Sequence, residues 1–133
     1  ILCFPENMEH KVRRQRKILG GALRQVGVLG AACLYAVKNN IKRLKEDHER
    51  ASFLAKELNP YHCKKNGKDL DSFTNMVFFE PIEKKGSDLF SFLKNKGIII
   101  SKPSPETRLV MHLNITDEVL NSFIKTVKEF YGD

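Results

Sequence analysis

The stretch from Leu23 to Asn59 holds no proline, and its apolar residues recur at helical spacing from end to end. This constrains the chain more than any other feature, because the two halves of the stretch need different surroundings. In the first half Val26, Val28, Leu29, Ala31, Ala32, Cys33 and Leu34 cover every face of a helix, while Gly27, Gly30 and Ala31 let another backbone come close. Such a segment needs neighbours on several sides. In the second half Leu34, Val37, Ile41, Leu44, His48, Ala51, Leu54 and Leu58 form one stripe with charged residues around the rest, the pattern of a surface helix. The spacing therefore predicts one helix, unbroken until Asn59-Pro60.

Pro5 and Glu6 suit a helix start, so Asn7 to Leu19 reads as a basic helix closed by Gly20-Gly21. Beyond Pro60 the period changes to that of strands. "YHC" before Asn66-Gly67 is a weak strand candidate, and "NMVFFE" (Asn75 to Glu80) is a strong one stopped by Pro81. Ser87 is placed to cap a helix from Asp88 to Lys96 that ends at Gly97. "IIIS" reads as a buried strand, and "RLVMHL" (Arg108 to Leu113) follows the turn at Pro103 and Pro105 as another. Thr116 caps a last helix whose Val119, Leu120, Phe123, Ile124, Val127 and Tyr131 share a face. The expected fold class is α+β: a small antiparallel sheet backed by helices. Residues 1–59 would form the helical part, with interface and linker, and residues 60–133 the small domain.

At 133 residues and 41% hydrophobic content the chain suffices for one core. Lys38 closes the longest apolar run well short of a membrane span, and no secretory signal pattern opens the chain. Cys3, Cys33 and Cys63 form no paired motif, which suits a reducing compartment, so the expectation is a cytoplasmic protein off the membrane. "ILCF" lacks an initiator Met and reads as the end of a buried strand cut from what precedes it. The net charge of +7, the run "HKVRRQRK" and the strand aromatics Phe78 and Phe79 would also suit an RNA-binding α+β module. Against that, the two aromatics are adjacent, so at least one faces the core, and basic helices are commonly solvated faces.

The glycine pair admits two readings on its residues alone. It is a plain bend between helices, or its N–H groups approach an anion beside Lys17 and Arg24. "RRQRKILGGALRQVGVLGAACLYAV", "RLKEDHERASFLAKEL", "TNMVFF", "KGIIIS" and "RLVMHLNIT" resemble, in order, the C-terminal part of the low-specificity L-threonine aldolases. These are pyridoxal-phosphate (PLP) enzymes of the aspartate-aminotransferase fold type. The resemblance implies a long linking helix and a small C-terminal domain. It also implies retro-aldol cleavage of a β-hydroxy-α-amino acid, L-threonine or L-allo-threonine, to glycine and acetaldehyde, and a homo-oligomer such as a dimer of dimers. Another lyase of the same fold type is the alternative. By the resemblance Lys17 and Arg24, with Gly20 and Gly21, lie at the cofactor phosphate, and Arg108 grips the substrate carboxylate. The family pattern has three glycines and a Met where this chain has Gly20-Gly21-Ala22-Leu23, and "RLVTHLD" where it has "RLVMHLN". The resemblance places the Schiff-base lysine upstream of Ile1, so this chain carries no catalytic residue and is inactive without the missing N-terminal large domain.

Other residues attract less chemistry. Lys102 follows an apolar strand as a Schiff-base lysine would, but it leads into a proline turn. His48 sits on the apolar stripe as a structural histidine, His112 has no assigned role, and His62-Cys63 lacks the further ligands of a zinc site. No metal and no nucleic acid are expected.

Overall fold

The computed structural model describes residues 2–64, 67–82, 86–101 and 105–133. They form two compact units, Ile1–Lys42 and Arg43–Asp133.

The first unit holds helices α1 (Glu9–Ile18) and α2 (Gly27–Asn39). No residue of either helix is buried. Gly20 has a φ of +77°, the left-handed conformation that ends helices. Its N–H donates to the Lys17 carbonyl at 3.1 Å, and the Gly21 N–H donates to the Arg16 carbonyl at 2.8 Å. The paired bonds make a Schellman cap, so the glycines close α1.

The expected single helix is broken. α2 stops at Asn39, a turn runs through residues 40–43, and α3 covers Leu44–Leu58. The physical reason lies in Asn39-Asn40, weak helix formers inside an otherwise helical pattern. Asn39 turns its amide back to donate to the Tyr35 carbonyl at 2.8 Å, an alternative partner for a carbonyl at the end of the helix.

In the second unit α3 shares a core with α4 (Gly86–Asn95), α5 (Asp117–Tyr131) and an antiparallel sheet ordered β1 (Ser72–Phe73), β2 (Met76–Phe79), β3 (Thr107–Val110). The α+β class is as expected. Val77 and Phe79 point inward from β2 and Leu109 from β3, meeting Leu54 and Leu58 of α3, Leu89 and Leu93 of α4, and Val127 of α5. Burying each such side chain contributes about 1.5–3 kcal/mol. Thr116 caps α5 by accepting the Val119 N–H, and Gly97, with φ +80°, closes α4.

Several expectations are corrected in this unit. His48 is exposed, and the charged residue on the buried face of α3 is Asp47, 3% exposed and held by Arg43 through bonds of 2.6 and 3.0 Å. "YHC" forms no strand: His62 makes an isolated bridge to Pro81, and the Cys63 N–H donates to the Glu80 carbonyl at 2.7 Å. "IIIS" is not a strand either. Ile98 and Ile100 pack on the core while Ile99 is 83% exposed, so the stretch alternates in burial without joining the sheet's ladder. The strand expected over Arg108–Leu113 is shorter, because β3 ends at Val110 and Leu113 is exposed. β1 was not foreseen. It is joined to β2 by Thr74 and Asn75, and Thr74 takes a φ of +56°, unusual for a β-branched residue.

Candidate functional site

β3 alternates sharply. Thr107 and Leu109 are buried, whereas Arg108 is exposed on the opposite face of the sheet, directly across from Phe78 of β2. Phe78 in turn meets Phe73 edge-on at 6.2 Å. Phe79 is fully buried, which leaves Phe78 and Phe73 as the sheet's outer aromatics.

A cleft of about 390 Å³ opens along β3. One wall is Ile98–Ser101, another is the α5 side with Val119 and Phe123, and the strand and the residue just after it supply Arg108, Val110 and Met111. The lining is apolar apart from Arg108, Ser101 and His112. Among the described residues no carboxylate pairs with Arg108. An exposed guanidinium without a carboxylate partner is suited to an anion that fits its planar fork.

His112 also lines the cleft, and its Nδ1 accepts the Asn114 N–H at 3.3 Å. Two features escaped sequence reading. Asn75 clamps the strand end, donating from Nδ2 to the Met111 carbonyl at 2.7 Å while its own carbonyl accepts the Met111 N–H at 2.8 Å. The buried Thr107 hydroxyl donates to the Ser101 carbonyl at 2.9 Å. A polar residue at the inward parity of a strand was the available signal for Thr107.

In the first unit Lys17 and Arg24 are both exposed, and among the described residues neither forms an ion pair. The Gly20 and Gly21 N–H groups already donate to carbonyls of α1. A Cβ on Gly21 would lie 3.2 Å from the Arg16 carbonyl oxygen, so the absence of a side chain serves the helix end. Lys102 lies outside the described residues. Among the described residues no group of His, Cys, Asp and Glu side chains is placed to hold a metal ion, and no helix is long and apolar enough to cross a membrane.

Residues 1–80 match the family model described as Beta-eliminating lyase. The chain belongs to that family. The chain is 40% identical over 108 residues to the low specificity L-threonine aldolase of Escherichia coli K12, a match covering 80% of this chain and 31% of that protein. It is 35% identical over 121 residues to low-specificity L-threonine aldolase 1 of Arabidopsis thaliana, covering 87% of this chain and 33% of the relative. A probable low-specificity L-threonine aldolase of Schizosaccharomyces pombe is 32% identical over 134 residues, covering 97% and 33%. The chain thus spans about a third of the length of these curated relatives.

Proposed function

We propose that this chain is the C-terminal part of a PLP-dependent aldolase that cleaves L-threonine and L-allo-threonine to glycine and acetaldehyde. The observation that carries the reading is Arg108, an exposed guanidinium without a carboxylate partner among the described residues, on a strand that borders an apolar cleft. Support comes from the family match and the named relatives.

In this reading Arg108 binds the substrate carboxylate through two parallel N–H bonds and thereby fixes how the rest of the amino acid is presented. Lys17 and Arg24 hold the cofactor phosphate by charge, with the Gly20-Gly21 turn setting the path of the chain between them. PLP, when bound, supplies the electron sink that the cleavage requires. The Schiff-base lysine and the large domain belong to the rest of the protein, which we place in the cytoplasm as a homo-oligomer.

The test uses the full-length protein. Arg108→Ala should lower kcat/KM for threonine about 10- to 100-fold with PLP retained, as expected for a lost charge-assisted carboxylate contact. Lys17→Ala with Arg24→Ala should instead release PLP on dialysis. Unchanged threonine cleavage in Arg108→Ala would reject the assignment.

A further inference from the structure

We propose that Thr107 is a positioning residue for the carboxylate-binding arginine: its hydroxyl ties the Ile98–Ser101 wall of the cleft to the strand that carries Arg108. The proposal rests on the reading of Arg108 given above.

Although Ile98 and Ile100 pack on the core, the segment does not pair with β3 as a strand, so a regular ladder does not set its distance from that strand. It is tethered at both ends instead. At one end the Ile98 N–H donates to the Leu93 carbonyl at 2.9 Å, part of the closure of α4. At the other end the Ser101 carbonyl accepts the Thr107 hydroxyl at 2.9 Å. Thr107 is 2% exposed, so this hydroxyl cannot trade its partner for bulk water without moving the wall. Arg108 is the next residue on β3, and both Ser101 and Arg108 line the cleft. Among the described residues this buried bond is the hydrogen bond that ties the apolar wall to the strand carrying the arginine. The chemistry requires a hydroxyl here. Valine has the same shape and would leave the Ser101 carbonyl without this donor, letting the wall drift and the arginine lose its defined approach to a carboxylate.

Three substitutions in the full-length, PLP-loaded protein test this, read by KM and kcat for L-threonine, by the dissociation constant for glycine, and by the thermal midpoint. Thr107→Val should raise KM and the glycine dissociation constant about five-fold with kcat within about two-fold of wild type, the size expected for one hydrogen bond. Thr107→Ser, which keeps the hydroxyl, should restore both. Thr107→Cys keeps the size with a weaker donor and should fall between, carrying the test if the valine variant does not fold. Wild-type KM in Thr107→Val overturns the proposal. So does a serine variant as impaired as valine, which would trace the effect to methyl packing, or a loss confined to kcat and thermal midpoint. Arg108→Ala is measured alongside: if KM is unchanged there, the reading of Arg108 has failed, and not merely the role of Thr107.

Discussion

Tyr61 lies under Tyr131 with ring centroids 4.7 Å apart and 19° between the planes, and its hydroxyl donates to the Asp133 carboxylate. Burial disfavours the phenolate, and the bond to Asp133 and its negative charge add to this, so the phenol is pushed up to about 12. The sign follows from proton binding. Between the ordinary value near 10 and the folded value the native state holds a proton that the unfolded chain has lost, so this contribution is complete below about pH 10 and is lost as pH rises through about 12. Tyr61→Phe should remove the late-ionising phenol from an ultraviolet pH titration and flatten the fall in stability above about pH 10. A titration unchanged by the substitution would refute this environment. Nothing in the local sequence announced it, because the ring partner stands seventy residues away on α5.

At the scale of the element, α3 begins with an ion pair that the apolar pattern hid. Spacing of three and four put His48 on the stripe, yet tertiary packing turns α3 so that Asp47 faces inward and His48 outward. A buried carboxylate is tolerable there because Arg43 reaches it one turn earlier with two bonds. Removing one partner leaves an uncompensated charge, whereas replacing both does not. Arg43→Met should therefore cost about 3 kcal/mol in urea unfolding, and Arg43→Met combined with Asp47→Leu should recover most of it. Equal losses in the single and double variants would show that the pair is not what anchors this helix start. The break before Arg43 was partly legible, since Asn39-Asn40 stood in plain view; the amide turned back to Tyr35 was not.

For the whole molecule, α2 matters most. Val28, Leu29, Leu34 and Tyr35 are each more than half exposed, an apolar surface that a lone soluble chain rarely carries. The isolated 133-residue polypeptide should self-associate through it, since covering each such side chain is worth roughly 1.5–3 kcal/mol, and should not cleave threonine. Light scattering over a dilution series should show the mass falling with concentration, and Val28→Glu with Leu34→Glu should hold it at the monomer. A wild-type chain that stays monomeric at high concentration would remove α2 as an interface.

What the sequence determined by itself are the features that depend on near neighbours. The glycine ends of α1 and α4, the threonine cap of α5 and the strand Met76–Phe79 could be read directly, because a cap or a period of two is complete within a few residues. The proposed roles of Arg108, Lys17 and Arg24 rest on the family resemblance, and the structure leaves all three without an ion-pair partner among the described residues. Only the tertiary structure decided which face of α3 is buried, that "IIIS" packs as a wall and not as a strand, and that Thr107 bonds to Ser101. These outcomes depend on partners brought together by the core, where an inward hydroxyl or carboxylate must find its match across the fold and local propensity carries no record of it.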